Sequence, residues 1–152
     1  GSVVLRAEAV YANGSYFAST DPAAPRGVVQ RDTLDWIVSA EMPFESVDGR
    51  INVQLFQRHY FGGGADAITV NAGDFGASVL IGAKITPTIE PSLQWFQGFG
   101  GAGSMVRPRV NWYAARNLVL AVGGDIFSGD SNGLFGRYGN RDRVYLEARY
   151  DF

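Results

Sequence analysis

The sequence predicts an all-β protein, an antiparallel up-and-down β-barrel of eight strands. Three observations carry that prediction. Apolar and polar residues alternate with period two in eight separate segments, the pattern of strands with one apolar face. The 152 residues include 20 Gly and are 13% aromatic, which favours strands and tight turns over helices. Long connections rich in Gly, Asp, Asn or Pro alternate with short ones, as in a meander whose two ends differ.

The first segment places Val3, Leu5, Ala7, Ala9 and Tyr11 on one face, opposite Arg6 and Glu8. Asn13-Gly14 would signal a hairpin by itself; here it reads as a bulge near the top of a long first strand. In the second, Leu34, Trp36, Val38, Ala40 and Met42 oppose Asp35, Ser39 and Glu41. The third sets Ile51, Val53 and Leu55 against Asn52, Gln54 and Arg58. Phe75, Ala77, Val79, Ile81, Ala83 and Ile85 form the fourth apolar face, opposite Gly76, Ser78, Gly82, Lys84 and Thr86.

The fifth alternates Pro91, Leu93 and Trp95 with Glu90, Ser92 and Gln94. In the sixth, Val106, Pro108, Val110 and Trp112 face away from Arg107, Arg109 and Asn111. The seventh places Leu118, Leu120, Val122 and Ile126 opposite Ala121, Gly123 and Asp125. The eighth, RVYLEARYDF, puts Val144, Leu146, Ala148, Tyr150 and Phe152 opposite Arg143, Tyr145, Glu147, Arg149 and Asp151. Long connections fall near residues 20–27, 62–73 and 129–141, and short ones at 45–49, 87–88 and 115–117. The connection at 100–103 is short where the alternation calls for a long one.

Length fits one domain over residues 3–152, and Gly1-Ser2 reads as an expression scar. No run approaches the roughly 18 apolar residues of a transmembrane helix. A net charge of −2 argues against nucleic acid as a partner. The absence of cysteine rules out disulfides and thiolate chemistry.

Alternation alone does not say which face points inward. The polar face is built of small residues, amides and charges of both signs, as an interior requires. The 18% charged residues are too few for the exterior of a soluble barrel. Aromatics gather toward strand ends: Phe44, Trp112, Tyr113, Tyr150 and Phe152 at one, and Phe17, Tyr60, Phe61, Phe75, Phe99 and Phe127 at the other. Two aromatic girdles around an apolar band predict a barrel in a membrane. Strands of about 10 to 12 residues suit a tilted crossing of the hydrocarbon layer, and closure is expected because lipid leaves no partner for an open edge.

The last strand closes on Phe152 with Tyr150 before it and Val144, Leu146 and Ala148 upstream. It resembles the assembly signal of bacterial outer-membrane barrels. That resemblance implies outer-membrane lipid as surroundings, recognition of those five residues by the barrel-insertion machinery, and periplasmic termini. LDWIVSAEMPF, GRINVQLFQRHYF and FSGDSNGLFGRYGNRDRVYLEARYDF are similar to the C-terminal part of larger proteobacterial outer-membrane barrels, porin-like and of poorly defined function. The implied role is porin-like or transport-related, with the chain a cut-down piece of a larger channel. The alternative is a structural or engineered membrane barrel whose interior is filled by side chains.

The candidate interior charges are Arg6, Glu8, Asp35, Glu41, Arg58, Lys84, Glu90, Arg107, Arg109, Asp125, Glu147 and Arg149, with Asp151 beyond them. Eight strands enclose a space that side chains can just fill, which favours a paired network there. A wider barrel would make the same residues a pore lining. Across the closing seam, Glu147, Arg149 and Asp151 are expected to turn toward Arg6 and Glu8.

No enzyme, cofactor or metal site is expected. His59 is the single histidine; Asp66 or Asp74 could lie near it, but no spacing fixes a general base or a metal set. Gly98, Gly100 and Gly103 spell GxGxxG, yet MVRPRV follows where a dinucleotide site needs a helix. Asp130, Asn132 and Gly133 begin like a calcium loop without its closing Glu.

Overall fold

The computed structural model describes residues 2–62, 75–131 and 133–152. Eight strands follow one another: β1 (Val4–Ala18), β2 (Val28–Phe44), β3 (Gly49–Phe61), β4 (Phe75–Ala83), β5 (Ile89–Gly98), β6 (Gly103–Ala115), β7 (Leu118–Ser128) and β8 (Arg143–Tyr150). They form one sheet in sequence order, every neighbouring pair antiparallel.

Directly paired residues share a face, so the ladders carry the alternation from strand to strand. One row of partners runs from Val4 through Glu41, Asn52, Leu80 and Gln94 to Arg107. It passes to Arg107's ion partner Asp125 and on to Arg143. Val4 begins β1 and Arg143 begins β8, at opposite ends of antiparallel strands. The row therefore climbs the sheet, and this is the stagger that accompanies strand tilt in barrels.

Burial separates the two faces. Along β7, Ala121, Gly123 and Asp125 are buried while Val122 and Ile126, on the opposite face, are exposed. The inner face carries most of the polar residues, and it is buried along the central strands but exposed on the edge strands β1 and β8; the outer face is largely apolar. Glycines on the inner face admit large neighbours: a Cβ on Gly76 would lie 2.5 Å from the Phe56 ring and 2.8 Å from the Gln97 carbonyl, and one on Gly123 would meet the Tyr145 ring at 2.5 Å.

The Asn13-Gly14 pair does form an irregularity in β1 and not a hairpin. The register shifts between Ala12 and Ser15, Gly14 adopts φ +67°, and Asp32 accepts the Gly14 N–H at 2.8 Å. The shift has a consequence for the aromatic girdles. Beyond it Phe17 pairs with Val29 on the inner face and meets Tyr60 edge-on at 5.1 Å. Tyr60, Tyr113 and Phe127 also belong to inner rows, through Thr33, Val119 and Met105. Trp36, Phe61, Phe75 and Phe99 make ring contacts toward the long-loop end.

The expected closing seam is not formed. Among the described residues no ladder joins β8 to β1. Arg6 pairs with Glu41, Glu147 with Arg109 and Arg149 with Asp151. Each charge takes a partner on its own or a nearby strand, where the ladder already brings it within reach. The sheet is an open meander of eight strands.

Replacing Gly76 with Ala should destabilise the fold by about 1–3 kcal/mol, because the new methyl overpacks against a ring and a backbone oxygen. Equilibrium unfolding in denaturant checks this, and unchanged stability would contradict the packing described.

Candidate functional site: the charged inner face

Every strand but β4 contributes charge to the inner face through alternate positions, so strand spacing sets which residues meet. Asp35 on β2 and Arg58 on β3 are direct ladder partners. The guanidinium donates twice to the carboxylate, at 2.7 and 2.5 Å, the bidentate geometry that makes arginine pairs specific. Arg6 on β1 donates to Glu41 on β2 at 3.3 Å.

On the other side of the sheet Asp125 is fully buried between two arginines. Arg107 on β6 and Arg143 on β8 each donate to it at 2.5 Å, one to each oxygen. Next to this group, Arg109 donates to Asn111 at 2.8 Å and to Glu147 at 2.6 Å, and its guanidinium lies 6.0 Å from the Tyr145 ring. A buried carboxylate is tolerable only when its charge and lone pairs are matched, and two arginines supply that match.

Near the short-turn end, the Tyr113 hydroxyl donates a short hydrogen bond to Glu90, which also lies 3.8 Å from Arg50. Lys84, just past β4, approaches Asp48 at 3.7 Å and sits over the Tyr113 ring at 5.5 Å. Arg149 and Asp151 pair at 3.6 Å. Glu8 has no ionic partner among the described residues and lines two cavities. Sequence reading left out Arg50 and Arg143 from this set. Arg143 had been placed on the polar face of the last segment and Arg50 shares parity with Asn52, so carrying the period-two count through to the interior charges would have included both.

These ion pairs run along the wall. Arg6–Glu41, Arg58–Asp35, Arg107–Asp125 and Asp125–Arg143 join adjacent strands, while Arg109–Glu147 and Arg50–Glu90 skip one strand. Among the described residues none joins β1–β3 to β6–β8 across the interior. These described charges are paired along the inner face.

The β7–β8 connection does enter the interior. Gly133 and Gly136 are buried, and Phe135 donates its backbone N–H to the Ala102 carbonyl at 2.8 Å while its ring meets Phe96 at 5.9 Å. Leu134 and Arg137 then line a cavity of about 510 Å³ whose other side is β1–β3, with Glu8, Phe17, Asp35, Phe56, Arg58 and Tyr60. Sequence reading treated 129–141 only as a long loop; no local pattern signals that a connection turns inward.

The remaining sequence candidates lie elsewhere. His59 pairs with Leu34 on the outer face and meets Phe61 edge-on at 4.7 Å; Asp66 and Asp74 lie outside the described residues. Gly98 and Gly103 are ladder partners closing the β5–β6 hairpin, with Gly100 in the turn at φ +68° and β6 following as a strand. The glycine motif is thus a turn. Asp130 accepts the Gly133 N–H at 2.8 Å, and Asn132 lies outside the described residues. Val144, Leu146, Ala148 and Tyr150 occupy the outer face of β8, paired with Gly124, Val122, Leu120 and Leu118. Phe152 follows the strand and contacts the Tyr150 ring at 5.5 Å.

Comparison of the chain with protein-family models, curated proteins and solved structures returns no match.

Asp125 to Ala should cost about 1–3 kcal/mol, since it leaves two converging arginines without their shared anion. Glu41 to Gln, at a solvent-exposed pair, should cost less than about 1 kcal/mol. Denaturant unfolding of both variants checks the ranking, and equal losses would contradict it.

Proposed function

We propose that the chain forms the wall of a porin-like, transport-related β-barrel in the bacterial outer membrane, its apolar face toward lipid and its charged face along a path for solutes. One observation carries the reading: the outer face is apolar and exposed across the whole sheet. Leu5 is 74% exposed, Trp112 49% and Leu146 82%, and Val38, Leu55, Ile81, Leu93 and Val122 extend the band between the two edges. Apolar patches on soluble monomers rarely exceed a few hundred Å². A surface apolar on every strand suits hydrocarbon, and in it antiparallel strands satisfy their backbone groups by pairing.

The course of the ion pairs along the wall favours a lined path over a filled core. A packed eight-stranded interior brings charges from opposite walls together, whereas these arginines are held by carboxylates beside them. No catalytic role is proposed. The termini lie at the short-turn end, the periplasmic end on this reading, and the outer residues of β8 with Phe152 serve as the signal read by the insertion machinery.

In lipid the two open edges need partners, and we infer that β8 closes on β1. A one-residue slip would turn inner side chains outward, so only alternate registers are allowed. The register with Arg143 beside Ala12 sets Glu147 against Glu8 and Arg149 against Arg6. The next, with Arg143 beside Gly14, sets Arg149 beside Glu8 and Asp151 beside Arg6. A further step brings Asp151 against Glu8. Charge selects the middle register, which also places Ala148 beside Ala9 on the outer face.

Planar-bilayer recording should give discrete conductance steps, and a silent bilayer with inserted protein would sink the transport reading. In this cysteine-free chain, Ala9→Cys with Ala148→Cys should oxidise to a disulfide within one chain when folded in detergent. The pair Ala7→Cys with Ala148→Cys should not. A covalent dimer would instead assign the edges to a second copy, and the reverse preference would refute the register.

A further inference from the structure

We propose that the cavity between the inward-folded β7–β8 connection and the inner face of β1–β3 is a binding site for small organic monoanions with an apolar body, anchored by Arg137. The proposal deepens the reading of the inner face as a solute path, since it places a selective station on that path.

The connection is held in place from within. Arg137 donates its backbone N–H to the Gly133 carbonyl at 3.3 Å and its Nε to the same oxygen at 3.2 Å. The buried glycines explain why the segment can lie so close: a Cβ on Gly133 would meet the Gly101 carbonyl at 2.3 Å, and one on Gly136 the Asp130 carbonyl at 2.1 Å. Tyr138 packs on Phe127 at 5.5 Å, on the inner side of β7. These contacts fix the base of the Arg137 side chain and leave the end of its guanidinium uncommitted; among the described residues it forms no ion pair.

The opposite wall supplies the apolar part. Phe17 and Tyr60 stand edge-to-face, with Phe56 beside them and Leu134 on the near side. Asp35 is taken by the two hydrogen bonds from Arg58. Glu8 has no ionic partner among the described residues, and in the closing register inferred above it would meet Arg149. Closure then leaves Arg137 as the unbalanced charge of the cavity, and the two terminal nitrogens of its planar fork suit a carboxylate. A volume of about 510 Å³ is within the range of small-molecule sites. An aromatic carboxylate satisfies both walls, while an aromatic ammonium meets a cation at the anchor.

The test uses the whole chain folded in detergent micelles, titrated with benzoate and separately with benzylammonium, with binding read by NMR. Benzoate should bind, and Arg137→Gln should weaken it by about tenfold or more, the scale of a hydrogen bond to a charged group. Benzylammonium should bind at least about tenfold more weakly than benzoate to the unaltered chain. A heat-modifiable gel shift confirms that the variant folds, as expected for an exposed side chain. Equal benzoate affinity in Arg137→Gln, or benzylammonium binding as well as benzoate, would overturn the site. Because binding is read without a bilayer, the site and the transport reading fail separately. Benzoate binding with a silent bilayer would sink transport alone, and conductance without benzoate binding would sink the site alone.

Discussion

Everything in this protein depends on antiparallel pairing that sets like face against like face through seven successive ladders. A strand offers its side chains alternately to two sides, and a ladder partner inherits the same side. The row from Val4 to Arg143 makes the constraint concrete: it keeps Glu41, Asn52, Gln94, Arg107 and Asp125 on one surface. Were one ladder to slip by a residue, charges would be carried onto the apolar face of every strand beyond it.

From that constraint follow two surfaces with different physics. The inner surface gathers cations and anions at neighbouring positions, so the cost of enclosing charge is offset locally. Asp125 is the extreme case, a fully buried carboxylate held by an arginine on each flanking strand. Exposed pairs such as Arg6–Glu41 contribute little to stability and matter more for the potential along the wall. The outer surface has no such internal remedy: Leu, Val, Ile and Trp side chains there touch only their neighbours on the same face. An apolar environment removes the cost of exposing them to water.

The bulge in β1 and the inward turn of the β7–β8 connection both break the regularity, and both shape the interior at the long-loop end. The shift at Ala12–Ser15 moves Phe17 to the inner face, where it joins Tyr60 and Phe56. The glycines at 133 and 136 let the connection approach from the other side. The cavity between them is built from elements far apart in sequence, and the curl of the sheet brings them together.

The order of the strands, their approximate limits and the face taken by each interior charge were legible in the sequence, because period two is a direct consequence of backbone geometry. Turns were legible too: Gly98 to Gly103 is a hairpin for the reason that its continuation reads as a strand. The parity of Phe17 was not, since a bulge shifts everything beyond it by one position relative to its partner. Nor were the partners of individual charges. Glu147 and Arg149 turn inward as their parity requires, yet Glu147 goes to Arg109 and Arg149 to Asp151, because ladder spacing and side-chain reach decide among several carboxylates and arginines of the same face. The sequence by itself determined the alternation, and so the two chemically distinct surfaces. Only the tertiary structure decided which charges meet, that their pairs follow the wall, and that one connection enters the interior, because those outcomes depend on distances between strands that no local pattern encodes.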